Sequence, residues 1–595
     1  MTFPTSPTNG QTTQKFGKKF AFNSTSGAWR PVSSPVVATV REPVATPAVV
    51  SSASGLPMTG NTVGKTAYVS ETNRLYIWNG SGWFEMALIN TNPTITTGGD
   101  ATYALNSDGT PTVITLVAND PEGVPLTWSY AVTSGSLEDV TISNTGAEFT
   151  ITPGTIETSF NLTFTASDGI NIDTSASSFT LVFEPDWTAS TLLQTLNNPN
   201  AYGTSSEDIF GYALAMSGNY AIVGAINEDA GGGVQSGAAY IFNITTGALV
   251  HTLLNPNAYG TPAYDQFGYA VAISGNYAIV GTADEDDGGT GPGQTGGTGT
   301  SSGKAYIFDV TTGALIHTLN NRNAYYQSAG DLFGKAVAID GNYAIVGASN
   351  ERDDGGTGSG KAYIYNVTTG AAVRILNNPN AYGTSVGDRF GYVVAISGNY
   401  AIVGAFQEDD GGTGSGQTGG GGSESGKAYI FNVSTGALVH TLTNPNAFGT
   451  SAGDWFGFVV SMSGNYAIVG APYEGGGTTI GKAYIFNVTT GALIHTLNSP
   501  NNIDSDRFGW TAAISGNYAI VGVGTAFNVQ QAHIFDVTTG VLLKSFDNPN
   551  AYGTVSGDNF ARSVAISDNY AIVSAYGEGD AGGSGSGKAY IFQAG

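Results

Sequence analysis

Phe267–Asp287 reads FGYAVAISGNYAIVGTADEDD, and Gly303–Asn320 follows it as GKAYIFDVTTGALIHTLN. Val, Ile, Ala, Tyr and Phe fill four short runs here, divided by Ser-Gly-Asn, an acidic Gly-rich loop and Thr-Thr-Gly. β-Branched and aromatic residues suit a pleated strand, and the two short connections suit hairpins. The stretch predicts four antiparallel strands.

The same unit recurs along the chain. Phe-Gly stands at Phe210, Phe267, Phe333, Phe390, Phe456 and Phe508, and at Phe560 the glycine is replaced by Ala561; the intervals are 57, 66, 57, 66, 52 and 52 residues. Self-similarity at such a period marks a repeat architecture. Seven units of four antiparallel strands predict an all-β fold with a C-terminal seven-bladed β-propeller. A propeller closes on itself to avoid an exposed edge. The chain stops just after KAYIF, the third strand of the seventh unit, and TASTLLQTLNNPN (188–200) reads as a fourth strand ahead of the first unit. Residues 186–200 are therefore expected to complete the last blade of a domain spanning 186–595.

These motifs resemble the FG-GAP family, the blade of integrin α-subunit propellers and of many bacterial and phage surface proteins. The resemblance implies a propeller with an adhesive or binding role. It departs from the integrin form at one place: there the calcium loop follows the first strand, where this chain has only Ser-Gly-Asn. Integrin metal ligands are therefore not carried over.

Composition bounds the function. The chain has 595 residues, 86 of them Gly, no Cys, and a formal net charge of −25. Without cysteine there are no disulfides and no thiolate chemistry. Residues 1–90 carry seven Lys/Arg against three Asp/Glu, a net +4, and the remainder carries 13 against 42, a net −29. So acidic a surface repels phosphate backbones, which argues against nucleic acid as a partner. No window reaches the ~20 apolar residues of a membrane span, so no membrane insertion is expected. The opening MTFPTSPTNGQTTQKFGKKF lacks the apolar run of a standard export signal.

Within a four-stranded blade, the loops joining strands two to three and those entering the next blade share one side. That side is expected to be an acidic face, with Glu228, Asp229, Asp284, Glu285, Asp286, Asp287, Glu351, Asp353, Asp354, Glu408, Asp409, Asp410, Glu474, Glu578 and Asp580. An Asp also stands two residues before each Phe-Gly pair, at Asp208, Asp265, Asp331, Asp388, Asp454, Asp506 and Asp558. One reading makes these carboxylates acceptors for turn N–H groups. The other makes Asp208, Asp265, Asp286, Asp287, Asp331, Asp353, Asp354, Asp388, Asp409, Asp410, Asp454 and Asp558 ligands for calcium, the only cofactor expected.

Aromatic residues flank the pairs: Tyr212, Tyr269, Tyr392, Phe458 and Trp510 after them and Trp455 before. They are candidates for stacking on sugar rings, with packing between blades as the alternative. Lys335, Arg389, Arg507 and Arg562 also flank the pairs. His251, His317, His440 and His495 share one outer-strand position with Gln194, Arg374 and Lys544, which reads as a solvent-facing site that tolerates polar residues; His533 stands alone on a third strand. No Asp-box, G-x-S-x-G or phosphate-binding loop is present, so no catalytic residues are assigned and no enzyme is expected.

Upstream, residues 91–185 alternate strands and turns as in a β-sandwich. DPEGVPLTW and TFTASDG resemble cadherin-like and Ig-like modules, in which Asp120, Glu122 and Asp168 match acidic positions. Residues 1–56 read as an attachment segment and extended linker, and 57–90 as a small β-hairpin module. FPTSPTNGQTTQKFGKKFAFNSTSGAW and LYIWNGSGWFEM resemble the N-terminal portions of structural proteins and fibres of marine tailed phages. The resemblance implies a virion protein, a fibre or similar external appendage assembled in the host cytoplasm. Lys15, Lys18, Lys19, Arg30 and Arg41 would face other virion proteins, and the propeller would bind a host-surface glycan or protein. A polysaccharide-degrading propeller enzyme on the appendage and a cellular surface adhesin are the alternatives. A homo-oligomer such as a trimer is compatible with a fibre, although no long heptad pattern drives one.

Overall fold

The computed structural model describes the chain except residues 1–11, 16–17, 24–27, 32–47, 73, 89–90, 107–108, 155, 182–184, 200–206, 231–233, 257–263, 286–300, 323–329, 352–357, 380–386, 410–423, 446–452, 476–478, 525–529, 550–556, 568 and 580–584. The described residues form strands with two short 3-10 turns, and none of their helices is long and apolar enough to cross a membrane. Two compact units divide at residue 184/185.

In the first unit, Thr12–Lys15, Lys18–Asn23 and Ala28–Pro31 form an antiparallel sheet. A second sheet has the order Ala48–Val50, Thr66–Val69, Arg74–Trp78, Trp83–Leu88, over a core of Leu56, Ala67 and Val69. Ala48–Val50 pairs parallel to Thr66–Val69. This corrects the expected boundary, because part of the Pro/Val/Ala/Ser stretch read as an extended linker is a strand of the module.

Residues 94–181 place a four-stranded sheet (Thr127–Gly135, Thr158–Ser167, Ile172–Leu181, Thr102–Ala104) and two smaller sheets around one core. Phe149, Phe160, Phe164 and Phe179 fill it. Along Thr158–Ser167 buried and part-exposed residues alternate, as a period of two requires. Asp120 Oδ1 accepts from the N–H groups of Glu122 and Val124, and Asp168 Oδ1 from those of Ile170 and Asn171, so both acids close their own turns.

The second unit consists of seven four-stranded antiparallel sheets. In the first, Phe210–Ser217, Tyr220–Ala225, Ala238–Asn243 and Leu249–Leu254 follow chain order, and the next five repeat the pattern. The last takes Phe560–Ser567, Tyr570–Ala575 and Lys588–Gln593 from one end and Thr191–Asn197 from the other, paired antiparallel with Lys588–Gln593. Asp186 and Gly595 also exchange both backbone hydrogen bonds, at 3.0 and 3.2 Å.

Each core belongs to two successive sheets. Ile222, Ile241 and Leu253 of the first sheet pack with Phe267, Val280 and Tyr306 of the second. The series ends where Leu196, Ile572 and Ile591 of the last sheet pack with Phe210, Val223 and Tyr240 of the first. The innermost strands neighbour one another in sequence order, and Phe560–Ser567 neighbours Phe210–Ser217.

Two backbone features hold these seams. The N–H of each Phe of the Phe-Gly pairs donates to the preceding sheet: Phe267 to Ser236 O at 2.8 Å, Phe333 to Ser302 O at 3.1 Å, and, across the chain ends, Phe210 to Ser586 O at 3.1 Å. Beside this bond the backbones nearly touch, since a Cβ on Gly281 would lie 1.9 Å from Gly334 O. Only glycine fits there.

At the rim, the shared polar position of the outer strand does more than tolerate polarity, which corrects the sequence reading. His251, His317, His440 and His495 place Nε2 within 2.8–3.1 Å of a threonine carbonyl in the next sheet. Arg374 reaches Ser434 O, Lys544 reaches Thr188 O and Gln194 reaches Thr245 O in the same way. Every sheet thus clasps its neighbour.

If Thr191–Asn197 is a full member of the last sheet, Leu196→Ala and Leu253→Ala, equivalent buried positions at 1% exposure, cost the same, about 2–5 kcal/mol each. Chemical denaturation of the two variants checks this. A neutral Leu196→Ala would detach the strand from the sheet.

Candidate functional site

The repeat Glu residues expected on an acidic face are buried, whereas Asp229 and Asp409 of that set are exposed. Glu228, Glu285, Glu351, Glu408, Glu474 and Glu578 are 0–1% exposed, each 18 residues after its unit's Phe. Buried carboxylates need donors. The hydroxyls of Tyr306, Tyr363, Tyr429, Tyr484 and Tyr590 on the third strands donate to five of them at 2.6–2.7 Å. Lys304, Lys361 and Lys482 add ion pairs of 3.7, 3.1 and 3.5 Å with Glu285, Glu351 and Glu474. The backbone carbonyl of each Glu accepts from the Gly that opens the third strand, at 2.8–2.9 Å. That bond closes the base of each loop, so loop length varies without disturbing the sheet.

The Asp before each Phe-Gly pair is also built in. Asp208, Asp265, Asp331, Asp388, Asp454 and Asp558 accept from the side chains of Asn198, Asn255, Asn321, Asn378, Asn444 and Asn548 at 2.7–2.9 Å. Asp506 accepts from Ser499 Oγ. Asp409 accepts from Glu424 N at 2.8 Å and Asp229 from Gln235 N at 2.8 Å, tying loop ends together. Among the described residues no group of three or more His, Asp or Glu is placed to hold a metal ion. Asp286, Asp287, Asp353, Asp354 and Asp410, also expected as calcium ligands, lie outside the described residues, as does Asp580 of the expected acidic face.

Two units break the pattern. The Phe508 unit has no Glu 18 residues on, carries Gln531 and His533 where the others have Lys and Tyr, and buries His533 fully with Nδ1 2.8 Å from Ser545 Oγ. Burial pushes that imidazole down to about 4. Glutamate and tyrosine disappear together because each is the other's partner. The Phe210 unit keeps Glu228 and Tyr240 but has Ala238 in place of Lys. There, burial and the neighbouring Glu228 push Asp208 up to about 7.

The candidate site lies at the inner ends of the first strands. In all seven units, the N–H of the residue after the Phe-Gly (or Phe-Ala) pair donates to the carbonyl of the residue before it, at 3.0–3.3 Å. This turn places seven equivalent side chains at the inner strand ends: Tyr212, Tyr269, Lys335, Tyr392, Phe458, Trp510 and Arg562. They touch in that order. Tyr212 and Tyr269 ring centroids are 5.1 Å apart, Lys335 Nζ lies 5.9 Å from the Tyr269 centroid and 5.0 Å from that of Tyr392, and Tyr392 stands 5.5 Å from Phe458. Phe458 is 4.6 Å from Trp510, over which the Arg562 guanidinium sits at 4.1 Å. Tyr473 and Trp455 extend the aromatic patch, 4.3 Å apart, and Arg507 lies 4.9 Å from the Tyr473 ring.

Most of these side chains are half-buried, with Phe458 at 9% exposure. The residues before the pairs are strained, with φ of 58° at Ile209, 62° at Arg389, 57° at Trp455 and 51° at Arg507. Positive φ is costly for such residues and clusters where a precise side-chain placement is held by its surroundings. All six aromatics expected from sequence, Tyr212, Tyr269, Tyr392, Trp455, Phe458 and Trp510, fall in this patch, where they pack against one another between sheets. Lys335 and Arg562 were noted only as flanking residues; their equivalence to Tyr212 was the signal that makes them part of the ring.

The Asp208–Glu228 site gives a pH test. A folded-state pKa of about 7 against an ordinary 3.8 means that the folded form holds the proton more tightly. Stability from this group is full below about pH 4, falls as pH rises to about 7, and stays reduced above it. Ala238→Lys supplies the ammonium found in the equivalent position of other units, so melting temperature should rise at pH 8 and stay nearly unchanged at pH 4. Equal shifts at both pH values would remove the carboxylate pair as the cause.

Six segments, 200–242, 258–308, 324–365, 381–431, 447–486 and 551–592, match the family described as FG-GAP repeat. The unmatched unit is that of Phe508, which lacks the Glu–Tyr pair. No curated protein matches the chain. The chain thus carries six FG-GAP repeats, of a kind that points to adhesion or binding, set in repeated four-stranded antiparallel sheets.

Proposed function

We propose that the second unit is a closed seven-bladed β-propeller that acts as a non-catalytic adhesive head, binding a host-surface glycan or protein through its mouth. The observation that carries this is the ring of aromatic and cationic side chains set by seven identical turns. Half-buried aromatic faces offer stacking surfaces at little entropic cost. The FG-GAP match supports a binding role, and the cyclic order of cores and clasps supports closure.

The rest of the chain suits an appendage. The N-terminal sequence stretches that resemble phage virion proteins would dock the protein on the particle, while residues 91–185, as an Ig/cadherin-like sandwich, would act as spacer. Many copies on one virion would turn a weak single contact into strong attachment. Among the described residues, five repeat Glu are committed to Tyr hydroxyls and six repeat Asp to Asn side chains, which favours binding over glycoside hydrolysis by those carboxylates, since two must flank the substrate there.

Trp510→Ala and Tyr392→Ala in the full chain should each weaken binding to intact host cells at least tenfold. Both lower the melting temperature because the rings pack against Phe458, so binding is compared well below it, where circular dichroism shows each variant folded. Cell binding that survives both substitutions would sink the mouth as the site. Shortening of host glycan chains during incubation would instead identify the rival enzyme.

A further inference from the structure

Four cations converge on the mouth of an otherwise acidic chain. Lys335 and Arg562 belong to the ring, and Arg389 and Arg507 stand at the residues just before two Phe-Gly pairs. Lys304, Lys361 and Lys482 are paired with buried Glu, whereas among the described residues none of the four mouth cations makes a salt bridge. Their contacts are with rings: Lys335 with Tyr269 and Tyr392, Arg507 with Tyr473 and Trp510, Arg562 with Trp510. Arg389 Nε donates to Gln407 Oε1 at 3.1 Å. Arg507 Nε is buried and has no acceptor among the described residues.

A desolvated cation without a counter-charge is costly. Here four half-buried cations are kept together, and Lys335 and Arg389 lie close enough for Arg389 to depress the Lys335 pKa after burial does. Among the described residues, two acids face this group. Asp284 acts on Lys335 from the loop after the second strand of the Phe267 unit, and Glu424 is engaged by Trp455 Nε1 at 3.1 Å and Gln407 Nε2 at 3.3 Å.

Building on the mouth as the binding site, we infer that its ligand is an anionic saccharide, one whose rings stack on the half-buried Tyr392 and Trp510 while its acid groups meet Lys335, Arg507 and Arg562. The rings give shape for a pyranose face, and the cations give charge for carboxylate or sulfate substituents. The overall negative charge does not oppose this at contact range, because at physiological salt charges beyond about 8 Å are largely screened. A neutral sugar would leave the Arg507 N–H and the ammonium of Lys335 unanswered.

Calorimetric titration of the full chain with oligogalacturonate, dextran sulfate, neutral dextran of matched length and poly-glutamate tests this. Oligogalacturonate or dextran sulfate should bind at least tenfold more tightly than dextran, and which of the two binds distinguishes carboxylate from sulfate as the acid group. Lys335→Gln with Arg562→Gln should cost the acidic sugar at least tenfold and leave the melting temperature close to that of the parent. Neutral dextran binding as well as the acidic sugars, no binding of either acidic sugar, or poly-glutamate matching them would overturn the ligand class. Failure of the mouth itself looks different: host-cell binding of Trp510→Ala would equal that of the parent chain.

Discussion

Each sheet of the second unit depends on the seam where its Phe-Gly turn meets the sheet before it. A Phe N–H reaches back to a carbonyl of the preceding sheet, and glycines on both sides let the backbones approach without a Cβ between them. That contact fixes two things together. It buries the Phe ring against the Tyr and Phe of its own third strand, with Phe267 lying 5.9 Å from Tyr306 and 6.0 Å from Phe308, and it aims the next side chain into the mouth. The seam therefore couples stability to the site. The last unit shows its tolerance: Ala561 takes the glycine position at φ 65° and Ser574 replaces the second-strand glycine, with Ser574 Oγ accepting from Ser563 N at 3.0 Å.

Behind the seam lies a second constraint, the cost of burying charge. Glu351 is pushed up to about 7 by burial even with Tyr363 and Lys361 beside it, so these carboxylates gain little as ion pairs alone. Their value is geometric, since one residue closes the loop through its carbonyl and anchors the third strand through its carboxylate. Losing one partner without the other would strand a polar group in the core. The Phe508 unit has lost both, and the Phe210 unit, missing only the lysine, carries the perturbed Asp208.

Much of the fold was legible in the sequence because the repeat spells out its strands, and because a third strand without a fourth and a fourth without a blade could only pair with each other. The repeat Glu residues were misread for a physical reason. Glu285 in a loop of Asp and Gly looks solvated, and its burial depends on the hydroxyl of Tyr306, 21 residues later, reaching across the sheet. The fixed spacing of 18 residues from Phe to Glu, while the loop beyond it varies, was the available signal. His251 and its equivalents were misread likewise, since their acceptor is a turn carbonyl of the next sheet 43–60 residues on. The mouth was half legible: the aromatics stood out by type, but Lys335 and Arg562 join them only through positional equivalence.

In the proposed function, the closed ring would present one mouth with seven unequal positions, and ligand discrimination would lie in which side chain each turn presents. This requires the ring to be closed by Thr191–Asn197. The most direct measurement is amide hydrogen exchange on the full chain, comparing peptides over Thr191–Asn197 with those over the equivalent strand Leu249–Leu254. The account predicts protection of the same order in both. Exchange of Thr191–Asn197 at the rate of an exposed loop, with Leu249–Leu254 protected, would contradict closure and with it the mouth as a single site.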